Sequence, residues 1–305
     1  MNQSPAVARA RPVTRRWLDV APAFARLHPG AALASAYVLL IVLAGLLAPI
    51  LPIPNPVAQD LVHRLAPPGS HGHLLGTDAL GRDMLSRLIW GGRIALLVAL
   101  LPTAIAAGIS LVLGMAAGTY ERWVGGVVMR MLDGLFAFPL VLLAIALGTV
   151  LGPGTNNLLV VIVVLLVPYM TRTVYVEVIL AKESEYVAAA RVAGSSEWRL
   201  LLDELLPNIS GPLIVMATIS AGAMIWVGAG LSFLGLGVQP PTAEWGRMTA
   251  DGAPVLSTAP FVSTFPGVAI LSVSFALNVI GDTLRDLLDP VLRRRSFVRQ
   301  IEFVG

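Results

Sequence analysis

Long apolar stretches alternate with shorter polar intervals along most of the chain, and the apolar stretches predict membrane-spanning helices. The first, residues 31–51, would reach roughly 30 Å at about 1.5 Å per residue, enough to cross the hydrocarbon core of a bilayer. The other predicted spans are residues 94–120, about 135–151, 158–170 or slightly beyond, 211–237, and 266 to about 284. The sequence therefore predicts an all-α membrane protein with six transmembrane helices.

Glycines and prolines interrupt or adapt these spans. Residues 134–171 carry no charge and are too long for one span, but the polar turn GPGTNN at residues 152–157 divides them into a helical hairpin. Pro139, Pro153 and Pro168 would each kink or end a helix. Gly114 and Gly118 form a small-xxx-small pair, which predicts close approach of a neighbouring helix.

Residues 182–207, here called the elbow, form the longest polar interval between two apolar segments in the second half of the chain. Side chains recur there at i, i+3, i+4 and i+7, which predicts two short helices. These are Tyr186, Ala189, Ala190 and Ala193, then Trp198, Leu201, Leu202 and Leu205. Gly194 is expected to end the first helix, Ser195 or Ser196 to cap the second, and Pro207 to stop it. This arrangement suits docking into a groove of a soluble partner; a loop lying on lipid headgroups is the alternative.

Residues 52–93 are polar and proline-spaced, and they predict a loop. Towards its end, Thr77 or Asp78 is expected to cap an amphipathic helix that leads into the second span. One side of this helix would carry Leu80, Met84, Leu88 and Ile89, and the other Asp78, Arg82, Asp83 and Arg87. A solvated charged face without function is the alternative. His71 and His73 lie beside glycines, which favours a surface loop over a metal site.

Composition supports a membrane location, because 56% of residues are hydrophobic, 13% are charged and the mean hydropathy is +0.79. Arginines cluster in two tails, residues 1–30 and 289–305. The positive-inside rule places both tails and the elbow in the cytoplasm, with the long loops 52–93 and 238–264 opposite. The exceptions are Arg82, Arg87 and Arg93. The first apolar run has span length, so it is expected to be retained and not removed as a signal peptide.

Several chemistries are excluded by the sequence. The absence of cysteine excludes disulfides and thiolate metal sites. Lys182 is the only lysine and follows Ala181, so the phosphate-binding motif G-x-x-x-x-G-K-[ST] does not occur, and neither do H-E-x-x-H or G-x-S-x-G. Asp133, Glu177 and Asp282 lie near predicted span ends, whereas a proton relay needs acids at mid-depth. An ion-coupled carrier and a non-transporting scaffold are kept as alternatives.

The elbow resembles the EAA loop of ATP-binding-cassette importer permeases, whose pattern is E-A-A, three residues, G, nine residues, then I-x-L-P. The matching residues are Ala189, Ala190, Gly194, Leu206 and Pro207. Ala188 replaces the glutamate and Glu204 the isoleucine, so a salt bridge from that glutamate is not carried over. Three further stretches resemble the C-type permease of the dipeptide, oligopeptide and nickel group. They are LGTDALGRDMLSRLIWGGRIAL, LSFLGLGVQPPTAEWGRMTADG and GDTLRDLLDPVLRR.

The resemblance implies one half of a type I importer in the bacterial inner membrane, with both termini cytoplasmic. Residues 94–288 would form the permease domain, and the elbow its coupling loop. Expected partners are a second homologous permease, two ATP-binding subunits, an extracytoplasmic substrate-binding protein and membrane lipid, with no nucleic acid. ATP and Mg would belong to the ATPases, and this chain would hold no cofactor or metal. The ATPase-docking residues would be Tyr186, Ala189, Ala190, Gly194, Glu197, Arg199, Leu206 and Pro207.

Short peptides are the first expected substrate, and other substrates stay open because the same group of permeases serves them. Nickel or its chelates, glutathione and opine-like conjugates are alternatives. Candidate path-lining residues, chosen by position, are Met224, Trp226, Ser232 and Asn278. Ordinary helix packing is the alternative explanation for each of them.

Overall fold

The structure is a computed structural model that describes residues 28–288, and within this range the secondary structure is helices joined by loops, without a β-strand. Five of its helices are long and apolar enough to cross a membrane, and one bent helix pair supplies a sixth span if it is counted as a unit. The described helices are α1 (Pro29–Leu47), α2 (Met84–Thr119), α3 (Glu121–Phe136), α4 (Leu140–Leu151), α5 (Thr155–Lys182), α6 (Glu185–Val192), α7 (Glu197–Phe233), α8 (Trp245–Gly252) and α9 (Phe261–Leu288). The predicted basic tails, apart from residues 28–30, lie outside the described residues.

The long helices run between two ends of the molecule. At one, the elbow end, Lys182 Nζ reaches the last carbonyls of α2. At the other, the far end, Gly154 N before α5 donates to Gly237 O after α7 at 3.0 Å. Leu288 approaches Gly211 near the first half of α7, so α9 finishes at the elbow end.

The second span differs from the prediction at its start. α2 is one helix of 36 residues, and its N-cap is Asp83, whose Oδ1 accepts from Ser86 N at 2.7 Å. The expected cap at Thr77 or Asp78 was wrong. Asp78 Oδ1 instead accepts from Leu80 N and Arg82 N, which closes a turn around Gly81 at φ +75°. A helix cannot pass through this turn, because the aspartate side chain has taken the backbone donors.

The third predicted span, residues 135–151, is broken. α3 and α4 meet at an angle of 91° across Pro139, whose ψ of 132° is extended. Proline has no N–H to continue α3, yet its fixed φ is suited to starting α4. α5 in turn runs through Pro168 to Lys182 and does not end near residue 170.

The predicted close approach at Gly114 and Gly118 is confirmed. A Cβ built on either glycine would lie 2.6 Å from the side chain of Val174 or Val178 on α5. The backbones of α2 and α5 therefore pack at a separation that only glycine permits. Both valines are buried in a core cluster shared by α2, α4, α5, α7 and the elbow.

Candidate functional site

The elbow contains the two predicted helices, separated by Gly194. α6 ends at Val192, and Gly194 has φ +84°, the left-handed conformation expected of it. Ser196 occupies the N-cap position of α7, without a side-chain hydrogen bond to the helix. A Cβ at Gly194 would have no atom within 4 Å, so a larger residue there would be limited by backbone strain and not by space.

Pro207 does not stop the second helix, contrary to the prediction. The chain passes from Glu197–Arg199 through a π-helical segment, Leu200–Leu205, into Leu206–Phe233. In a π-helix the hydrogen bonds run five residues apart, and proline lies at the start of the following α-helical turns, where its missing N–H costs little. The second elbow helix is consequently continuous with the fifth span.

Three apolar side chains fasten the elbow to the helix bundle. Val187 of α6 and Leu200 and Leu205 of α7 are buried and belong to the core cluster. The opposite surface is exposed and carries large apolar groups: Val192 is 91% and Trp198 is 73% exposed. The elbow is thus fixed on one side and offers an uncovered apolar surface on the other.

The residues predicted to dock a partner lie on or beside this exposed surface. Tyr186, Ala189, Gly194, Glu197, Arg199 and Pro207 are exposed, and Ala190 and Leu206 are half-buried. Sequence reasoning left Val192 and Trp198 out of the docking set. The sequence could have indicated Trp198, since a large aromatic side chain in a polar interval is a frequent anchor at interfaces.

At the far end, a group of charged side chains closes over the start of α2; it consists of Asp78, Arg82, Arg87, Arg247 and Asp251 and is called the clasp. Arg82 Nε lies 2.6 Å and Arg87 Nε 3.5 Å from Asp78 Oδ2. Arg82 Nη2 lies 3.7 Å from Asp251 Oδ2, and Arg247 Nε 3.0 Å from Asp251 Oδ1. The first three side chains are buried, so they are not the solvated charged face that was the alternative.

The loop before α2 is held in place by Arg87 of the clasp and by neighbouring residues. Arg87 Nη1 donates to Pro56 O at 3.2 Å, and Ser86 Oγ donates to Pro54 O at 2.6 Å. His73 Nδ1 lies 2.8 Å from Asp83 Oδ2, an acidic neighbour that the local sequence did not indicate. Among residues 28–288, no group of three or more histidines or carboxylates is arranged to hold a metal ion.

Helix α8 is held against the spans by Glu244 and Trp245. The Glu244 carboxylate accepts from Gly246 N and Arg247 N, both at 2.8 Å, which caps α8. Burial raises the pKa of Glu244, and these hydrogen bonds oppose the rise. Trp245 Nε1 donates to Leu88 O at 2.9 Å, and its ring leaves room only for glycine at positions 91 and 92 of α2.

The four candidate path residues do not share one surface in this chain. Met224 and Ser232 are buried, and Ser232 Oγ accepts from Val238 N at 3.2 Å. Asn278 is half-buried and donates to Ser274 O, whereas Trp226 is half-exposed. A separate groove of about 520 Å³ opens between α5, α7 and α9. Its polar lining includes Tyr169, Thr173, Glu177, Ser220 and Arg285.

Comparison with known proteins identifies relatives over most of the chain. The di/tripeptide transport system permease protein DppC of Pseudomonas aeruginosa is 41% identical over 265 residues, covering 85% of this chain and 88% of that protein. The glutathione transport system permease protein GsiD of Pectobacterium atrosepticum is 36% identical over 287 residues, covering 94% of this chain and 95% of that protein. The dipeptide transport system permease protein DppC of Escherichia coli is 38% identical over 272 residues, covering 88% and 91%.

Among solved structures, the inward-facing MetNI methionine ABC transporter matches with a TM-score of 0.48 and 16% identity, over 66% of this chain and 97% of that chain. Residues 110–294, which include the elbow and the last two long helices, match one protein family. The chain belongs to that family, described as the binding-protein-dependent transport system inner membrane component.

Proposed function

We propose that this chain is the permease subunit of an ATP-driven importer of short peptides and forms half of the translocation pathway. The observation that carries the proposal is the elbow, a helix pair with an exposed apolar surface that is rooted between two membrane-spanning helices of a chain in this family. The sequence lacks a phosphate-binding loop, so ATP and Mg are assigned to partner subunits.

Two ATP-binding subunits would dock on the elbows of this chain and of a second, homologous permease. The exposed side chains around Gly194 supply the contact surface on this chain, with Val192 and Trp198 added to the residues that the sequence suggested. ATP would draw the two subunits together, and the elbows would transmit that movement to the spans, which rock about a central path. A binding protein would deliver substrate at the far end.

We assign the elbow end to the cytoplasm. Arginine-rich tails precede residue 31 and follow residue 288, and α9 ends at the elbow end. Two arginines that break the positive-inside rule at the far end, Arg82 and Arg87, are paired within the clasp and are not free loop charges. With six spans, both termini would be cytoplasmic.

Short peptides are the proposed substrate because two of the three relatives named above are a di/tripeptide permease and a dipeptide permease. Glutathione, itself a small peptide, is the second candidate, since the relative that matches along 94% of this chain is named a glutathione permease.

The test is the ATPase activity of the co-purified complex in lipid nanodiscs, with the binding protein empty, loaded with mixed short peptides, or loaded with glutathione. Stimulation by the peptide-loaded protein is expected. If only the glutathione-loaded binding protein stimulates the ATPase, the substrate is glutathione and not a mixture of short peptides. If no ATPase co-purifies with the chain, the proposal of an ATP-driven importer is contradicted.

A further inference from the structure

The only lysine of the chain joins three helices beside the elbow. Lys182 Nζ donates to Gly118 O at 3.0 Å, to Thr119 O at 3.3 Å and to Glu121 Oε1 at 2.8 Å. An ammonium group has three donors, and here each has one acceptor. The Lys182 side chain is 21% exposed, so water has only limited access to compete for these hydrogen bonds. We call Lys182 and its three partners the lysine junction.

The acceptors in this junction suit a cation. Gly118 and Thr119 are the last residues of α2, where carbonyl groups lack partners within the helix and the helix dipole is negative. Glu121 adds a full negative charge at the start of α3. Neutral substitutes with the same apolar stem would fill the space but would leave all three acceptors without their donor.

The junction is located where the elbow leaves the bundle. Lys182 is the last residue of α5, and Ser184 is the N-cap of α6, the first elbow helix. Gly118 also lies close against α5, because a Cβ there would lie 2.6 Å from the Val178 side chain. The end of α2, the start of α3 and the base of the elbow therefore meet at one side chain.

Packing behind the elbow is incomplete at this point. A cavity of about 220 Å³ lies between the elbow and the ends of α2 and α5, and Lys182, Val187, Arg191 and Leu200 contribute to its wall. At the edge of this cavity, the hydrogen bonds of Lys182 join the base of the elbow to the end of α2 and the start of α3.

We propose that Lys182 is the positioning residue that makes α2, α3 and α5 move together when the elbow is displaced. The inference rests on the proposed function, because it concerns how force applied to the elbow reaches the spans. Without the ammonium group, α6 could move while the end of α2 stayed in place. Docking and ATP hydrolysis would continue, but the spans would no longer respond to them.

Hydrogen exchange of the full chain in nanodiscs tests the junction without any assumption about transport. Lys182→Met keeps the stem and removes the donors, and Lys182→Arg keeps a cation with several donors. Amides in residues 116–125 and 184–199 should exchange about ten-fold faster in Lys182→Met, as loss of charge-assisted hydrogen bonds allows. Lys182→Arg should stay close to the unsubstituted protein, and so should Arg122→Met, which removes an exposed cation from the same turn. Equal exchange in all four proteins would overturn the proposal.

The assembled complex supplies the functional measurement. Lys182→Met should retain basal ATPase activity, while stimulation by the loaded binding protein falls towards one-fold; Lys182→Arg should restore it. A merely structural role predicts instead that basal and stimulated activity fall together with the yield of complex, and that result would overturn the proposal.

If Lys182→Met does not assemble, Glu121→Gln should show a partial loss of stimulation, and full stimulation in that variant would count against the junction. If the unsubstituted complex shows no stimulation, the proposed function fails, and the exchange comparison still decides the junction.

Discussion

The clasp at the far end and the elbow treat polar and apolar side chains in opposite ways. In the clasp at the far end, Asp78, Arg82 and Arg87 are buried. In the elbow, Trp198 and Val192 are largely exposed. The charges of the clasp find their ion-pair partners within this chain, although Arg87 Nε and Arg247 Nε make no hydrogen bond. A large exposed apolar surface, in contrast, usually marks a contact with another chain. The difference suggests that the clasp fixes the fold and the elbow serves assembly.

Neutralising one aspartate in each region should give the largest difference between them. Asp78→Asn leaves two buried arginines without their shared counter-charge, so the free energy of unfolding should fall by about 3–5 kcal/mol, as for other broken buried pairs. Asp203→Asn makes the same change at an exposed elbow position and should shift stability by no more than about 0.5 kcal/mol. Denaturation midpoints of the two purified variants provide the measurement. Equal losses would show that the clasp is no more important to the fold than the elbow.

The contact between α2 and α5 at Gly118, here called the seam, should give a smaller change in stability when it is disturbed. Gly118→Ala places a methyl group 2.6 Å from Val178, and overpacking of this kind costs about 1–3 kcal/mol. Gly108 lies on the same helix with no atom within 4 Å of its Cβ position, so Gly108→Ala should be neutral or stabilising by up to about 1 kcal/mol. Thermal unfolding of both variants would measure the contrast. A loss that is the same at both positions would mean that the seam is not closely packed.

The spans and the elbow could be anticipated from local sequence, because both depend on apolar length, periodicity and the conformation of single glycines. Gly194 takes the left-handed conformation expected of it. The clasp could not be anticipated, because Arg82 meets Asp251 from a distant part of the chain, and helical periodicity does not indicate whether a charged face will be covered. In the sequence, the same charges were therefore interpreted as one side of an amphipathic helix, with a solvated face without function as the alternative.

Proline positions were also ambiguous in the sequence. Pro139 breaks the third span, whereas Pro168 lies inside α5 and Pro207 follows a π-helical segment without ending the helix. Which outcome occurs depends on whether neighbouring turns can rearrange their hydrogen bonds. The docking residues of the elbow remain predictions, because they concern a surface that another protein would cover.

Substitutions at Gly194 should distinguish the stability of the chain from the coupling between the elbow and the ATPase. Replacement by alanine forces a residue with a Cβ into φ +84°, at a cost of about 1–2 kcal/mol. A bulky residue, as in Gly194→Trp, would in addition protrude from the exposed surface. We expect the chain to insert and the complex to assemble, but stimulation of the ATPase to be lost. Ala193→Gly, on the same turn, serves as the control and should retain stimulation. Unchanged transport by Gly194→Trp would refute a docking role for this turn.

Trp198 should have the smallest effect on the stability of the chain. Since 73% of its side chain is exposed, Trp198→Ala should change the free energy of unfolding by no more than about 0.5 kcal/mol. Its effect on assembly should be larger, because an exposed tryptophan that becomes buried at an interface often contributes 2 kcal/mol or more, about thirty-fold in affinity. Trp123→Ala is the matched control, since Trp123 is also highly exposed at the elbow end but lies outside the elbow. Co-purification of the ATP-binding subunits and titration of their binding in nanodiscs would distinguish the two. If Trp198→Ala binds those subunits as tightly as the unsubstituted chain does, they do not recognise the exposed apolar surface of the elbow. The clasp and the elbow would then differ only in how much each contributes to the stability of the fold.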